Sequence, residues 1–93
     1  MEKQLKTKEA KSFFKTLASF SSDIEARKFM RDVCTFSELQ SMIERWQVAK
    51  LLDKGMSYRE ISQKTGSSTT TITRVAHWLH HGEGGYRLML DKK

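Results

Sequence analysis

The sequence contains no proline, a single cysteine and five glycines, three of them at or after Gly82. Without proline, and with so little glycine before that point, long helices are favoured over a turn-rich β-fold. The one thiol, Cys34, excludes an intrachain disulfide and a cysteine-based metal cage. It lies in an apolar stretch with no oxyanion-type glycine loop beside it, so it reads as core and not as a nucleophile. No hydrophobic run approaches the length of a membrane span, and the start (Met1-Glu2-Lys3-Gln4-Leu5-Lys6) lacks an apolar signal core. The expectation is a cytoplasmic protein without a membrane partner. No constellation of acid, base and nucleophile can be drawn, which makes an enzyme the least favoured class, and no cofactor is implied.

What the chain does have is positive charge, a net +6 over 93 residues. A basic surface attracts polyanions by counterion release, so nucleic acid is the first partner to consider and anionic membrane the second. Charge alone serves solubility equally well. The length allows one domain, and a 38% hydrophobic fraction is lean for a monomer of this size. Pairing with a second copy would enlarge the core.

Helical periodicity runs through the chain. Residues 1–9 are polar and are expected to form a flexible arm. Phe13, Phe14, Leu17 and Phe20 then form one stripe. Ser21-Ser22-Asp23 breaks it and caps a second, carrying Ile24, Phe29, Met30 and Val33. Thr35 with Glu38 makes a capping box for a long helix that ends near Lys54 and Gly55. That helix carries Leu39, Met42, Ile43, Trp46, Val48, Ala49, Leu51 and Leu52, more than one stripe can hold, so it needs cover on two sides. Residues 10–54 are therefore expected to be dimerisation helices. Trp46 and Trp78, set among apolar neighbours, read as core or interface.

Ser57 and Glu60 form another capping box, opening a short helix that stops at Thr65-Gly66. Ser67 or Ser68 caps the next, which runs to about Leu79. Two short helices joined in this way make a helix-turn-helix over 57–80. Ile61 supplies the apolar contact and Ser62 the small residue where the backbones approach. Gly66 supplies a turn with positive φ. Ile72, Val75, Ala76 and Leu79 point inward, which leaves Thr70, Thr73, Arg74 and His77 outward and Thr69 and Thr71 on the flanks. Hydroxyl side chains suit base edges, and threonine methyls can meet thymine methyls. Capping and solvation compete with that reading for Thr69 and Thr71. Ser68, at the helix start, joins the candidate DNA contacts. Arg59 and Lys64 would hold phosphates. His77, His80 and His81 offer two imidazoles one turn apart, but no carboxylate or thiolate has matching spacing, and no metal is expected.

These segments resemble the Trp repressor superfamily, and the chain as a whole is most similar to its YerC/YecD branch. The resemblance is carried by Phe29-Met30-Arg31-Asp32, Ser37-Glu38-Leu39-Gln40, Glu44-Arg45-Trp46 and Gly55-Met56-Ser57-Tyr58-Arg59-Glu60-Ile61. It continues in Thr70-Thr71-Ile72-Thr73-Arg74 and Gly82-Glu83-Gly84-Gly85-Tyr86-Arg87. It implies an all-α, intertwined helical homodimer with a helix-turn-helix in each subunit, binding double-stranded DNA at a palindromic operator as a transcriptional repressor. In the tryptophan repressors the indole lies between two arginines. The second matches Arg74, while the first falls on Glu44 without a gap and on Arg45 with a one-residue shift. The same shift brings Thr35 into register, giving Thr35, Arg45 and Arg74 as a candidate effector pocket. Val75 stands where those repressors have glycine, so DNA binding is expected to be independent of L-tryptophan, with room left for another small-molecule effector.

Two alternatives remain at this point. One is a DNA-binding unit related to a transposase or replication initiator, which would normally continue into a further domain, whereas this chain reads as complete. The other is a protein-interaction adaptor whose charge serves solubility.

Overall fold

Each turn in the chain is made where a hydroxyl or a glycine can satisfy the ends of the helices beside it. In a computed structural model, which describes residues 2–92, the elements are a 3-10 turn over Lys3–Lys6 and six α-helices. These are α1 (Lys8–Ala18), α2 (Asp23–Val33), α3 (Phe36–Asp53), α4 (Tyr58–Thr65), α5 (Thr69–His81) and α6 (Gly85–Leu90). The fold is all-helical. Thr7 caps α1 by accepting from the Ala10 N–H at 3.1 Å. Ser22 caps α2 through the Glu25 N–H, and Glu25 returns to the Ser21 N–H at 3.0 Å and its hydroxyl at 2.7 Å. These bonds hold the Glu25 carboxyl below its ordinary pKa, the backbone donor contributing most.

The chain divides into two compact units, Met1–Phe36 and Ser37–Lys93. In the first, Phe13 and Phe20 both lie against Phe29, at centroid distances of 6.0 and 5.7 Å. No residue of α1 or α2 is buried. Ile24 and Val33, expected to be apolar stripe positions, stay half exposed at 54% and 51%. The stripe is real in sequence, but two helices supply too little surface to cover it.

The second unit has a proper core. Val48, Ala49 and Leu51 of α3 meet Ile61 of α4 and Ile72 and Val75 of α5, with Trp46, Leu52, Met56 and Tyr86 packed around them. Only the C-terminal half of α3 takes part. Met42 and Ile43, one to two turns earlier, are 38% and 49% exposed. α6 closes over α3 through Tyr86, whose ring stacks on Trp46 at 6.4 Å and 4°. Arg87 adds a 2.6 Å ion pair to Asp53. No helix of the described residues is long and apolar enough to cross a membrane.

Candidate nucleic-acid interface

The turn between α4 and α5 is built from hydroxyls. Ser57 caps α4 by accepting from the Glu60 N–H at 3.2 Å, and Ile61 is fully buried at the middle of the helix. Gly66 ends α4 in the left-handed region at φ 77°, where a side chain would be strained. The Ser62 hydroxyl donates to the Ser67 carbonyl at 2.8 Å, and Thr65 Oγ1 accepts from the Ser67 N–H at 3.1 Å. A small residue at 62 thus does more than permit close approach. It ties the turn back onto α4.

Of the two serines that follow, Ser68 is the cap. Its hydroxyl accepts from the Thr71 N–H at 3.1 Å and donates to Thr71 Oγ1 at 3.1 Å. Ser67 is instead buried and donates to Glu44 Oε1 on α3 at 2.8 Å. The turn is therefore held to the long helix by a hydrogen bond to a charged acceptor, a class worth about 1.5–3 kcal/mol. Sequence reasoning missed this bond. Glu44 was the signal, an acid one helical turn before the buried Val48 of α3.

With Ile72, Val75 and Ala76 buried, α5 turns its other side to solvent, and Thr69, Thr70, Thr73, Arg74 and His77 are all exposed there. Its first turn contains no acidic residue, so the positive end of the helix dipole is not neutralised. Arg59 is exposed on α4. Lys64 is exposed as well and borders a groove between α3 and α4 shared with Gln47, Leu51 and Thr65. His77 packs edge-on against Trp78 at 5.0 Å and lies 5.1 Å from His81. Trp78 itself is 57% exposed.

Arg45 and Arg74, the arginine pair singled out in the sequence, do come together. They line a cleft of about 310 Å³ with Val75, Trp78 and Tyr86. A smaller neighbouring hollow is lined by Ser41, Glu44, Arg45, Thr71 and Arg74. Thr35 lines neither and belongs to the other unit. Tyr86 was not foreseen. The glycines at 84 and 85 that precede it start α6 and bring its ring back to α3.

The Trp repressor protein family matches residues 8–93. The chain belongs to the Trp repressor family. Its relatives include the uncharacterized protein YerC of Bacillus subtilis (strain 168), 37% identical over 89 residues, covering 96% of this chain and 86% of YerC. A TrpR like protein from Eubacterium eligens ATCC 27750 superimposes with a TM-score of 0.91 at 38% identity, over 97% of this chain and 93% of that one. A solved protein from Staphylococcus aureus gives a TM-score of 0.89 at 35% identity, over 95% of this chain and 88% of the other. As a member of the Trp repressor family, the chain falls in a class of DNA-binding regulators.

Proposed function

We propose that this protein is a homodimeric transcriptional repressor that reads a palindromic operator with one helix-turn-helix per protomer and does not need L-tryptophan. The observation that carries this reading is the division of α5 into two faces. Ile72, Val75 and Ala76 are locked in the core, while Thr70, Thr73, Arg74 and His77 are exposed on the opposite side. A helix held on one side and polar on the other is what insertion into a major groove requires. Thr69 and the start of α5 beside Ser68 lie where backbone N–H groups can meet a phosphate. Arg59 and Lys64 supply the charge that positions the motif.

The uncovered apolar surface supports dimerisation. Phe13, Phe14, Ile24, Val33, Phe36, Met42 and Ile43 are all more than a third exposed. Exposed apolar area on this scale marks an interaction surface, and a second copy of α1–α3 would cover it.

Independence from tryptophan follows from how the cleft is furnished. Trp78 and Tyr86 already place an indole and a phenol beside Arg74. Glu44 puts a carboxylate in the adjoining hollow, where it repels the carboxylate of an amino acid. Val75, only 1% exposed, fixes the cleft floor by packing into the core.

Selection of bound duplexes from a random pool tests the proposal. The wild type should enrich a palindrome with half-sites roughly 34 Å apart. Thr70→Ala should lose discrimination, whereas Arg59→Ala should weaken all duplexes and flatten the salt dependence. Unchanged enrichment by Thr70→Ala would overturn the assigned face. Calorimetry with L-tryptophan up to millimolar levels should show no saturable heat, and a gain in duplex affinity would overturn the ligand independence.

A further inference from the structure

The excess charge is not spread evenly. Residues 1–19 hold five lysines against two glutamates, a net +3. Residues 57–93, which contain the helix-turn-helix, hold six basic against three acidic residues, again +3. The 37 positions between are neutral, with six of each sign. The C-terminal segment that contains the helix-turn-helix therefore accounts for only half of the protein's positive excess.

Three of the five lysines in the N-terminal segment lie on one face of α1. Lys8, Lys11 and Lys15 recur at spacings of three and four, which places them on one side of the helix. Ser12, Thr16 and Ser19 stand beside them on the same open face. Among the described residues no carboxylate forms an ion pair with any of the three. The apolar residues lie off this face, with Phe13 6.0 Å from Phe29 of α2.

We propose that this lysine face is a second phosphate-binding surface, which grips the DNA backbone beyond the phosphates reached by the helix-turn-helix. The inference rests on the DNA-binding reading above. Lysines presented as mobile point charges, flanked by small hydroxyls and lacking any planar stacking group, suit a phosphate backbone and carry no means of reading bases. A bilayer would need the apolar side of α1 as well, and that is the side the proposed second copy would cover.

The test uses the full chain, a mixed-sequence duplex of about 40 base pairs, roughly four turns, and the triple variant Lys8→Gln, Lys11→Gln, Lys15→Gln. The wild type should bind this duplex non-specifically with a steep salt dependence. The triple variant should bind at least on the order of tenfold more weakly near 0.1 M salt, with its slope reduced by about 0.9 for each phosphate that is no longer neutralised. Replacement of the same three lysines by arginine should restore the slope, which a merely structural effect would not predict. If the wild type binds and the glutamine variant keeps its slope, the lysine face is not a DNA surface, while the helix-turn-helix reading stands. If neither binds any duplex, both readings fall. Vesicles of phosphatidylglycerol provide the contrasting arm: lysine-dependent binding to them, with duplex binding unaltered, would overturn the proposal in favour of a membrane surface.

Discussion

The two units use similar helices to opposite ends. In residues 37–93, α3, α4 and α5 bury Val48, Ile61, Ile72 and Val75 to within 1% of full enclosure. In residues 1–36, two helices of eleven residues bury nothing of their own, and Cys34 is the one buried residue among those described. Both units contain apolar stripes. The difference is that α4 and α5 meet a third helix, and the angle between the pair encloses side chains from all three. Within their own unit, α1 and α2 meet through a few aromatic edges. An amphipathic pattern specifies a face, but enclosure needs at least three surfaces converging on it.

The sharpest way to break this comparison is to delete volume on both sides. Ile61→Ala and Ile72→Ala should each cost about 2–5 kcal/mol in urea unfolding, whatever the protein concentration. Phe14→Ala, at a position 44% exposed, should cost stability only through association. Its midpoint should therefore move with protein concentration, and a concentration-independent loss would show that 1–36 is self-sufficient after all.

Next in size is the tie between α3 and the turn. Ser67→Ala removes the 2.8 Å bond to Glu44 and should cost about 1.5–3 kcal/mol. Glu44→Gln keeps an acceptor and should cost less. Equal losses for the two would mean that the bond holds the turn only when its acceptor is charged.

A smaller effect is expected at the backbone. Gly66→Ala must adopt φ near 77° and should lose about 1–2 kcal/mol, although no atom obstructs a Cβ there. Gly82→Ala is a useful contrast, because its Cβ would come within 2.5 Å of the Trp78 carbonyl oxygen. If Gly66→Ala is neutral while Gly82→Ala is not, then crowding governs these helix ends and left-handed strain does not.

The smallest effect lies in the first unit. Glu25 has its carboxyl pKa lowered by the Ser21 N–H and hydroxyl. A folded pKa below the unfolded one gives stability that is present above the unfolded value and is lost as pH falls through the folded value. Glu25→Gln should therefore differ from wild type in urea at neutral pH and converge with it in acid. A difference that persists at low pH would assign the effect to packing.

Much of this was legible in the residues themselves. Ser57, Ser68 and Gly66 mark their helix ends by chemistry that acts within four positions of chain, and the inward set Ile72, Val75 and Ala76 follows from helical spacing alone. The pairing of Arg45 with Arg74 came from family resemblance and not from any local rule. Three things were not legible. Ser67 and Ser68 are equivalent as caps on local grounds, and only the distant carboxylate of Glu44 separates them. Tyr86 follows two glycines, whose backbone path is not set by neighbouring residues. The exposure of Ile24 and Val33 depends on how many surfaces reach them, which a stripe cannot count.

The stacked pair of Trp46 and Tyr86 gives the molecule an optical asymmetry. Trp46 is half enclosed and covered by a parallel ring, whereas Trp78 stands in solvent at the far end of α5 with an imidazole edge against it. The first indole should emit toward the blue and shift red only when α6 lifts from α3. The second should emit red from the outset and respond to whatever approaches α5. Replacing either tryptophan by phenylalanine would leave one colour reporting on folding and the other on occupancy, so both events can be followed in one unlabelled sample.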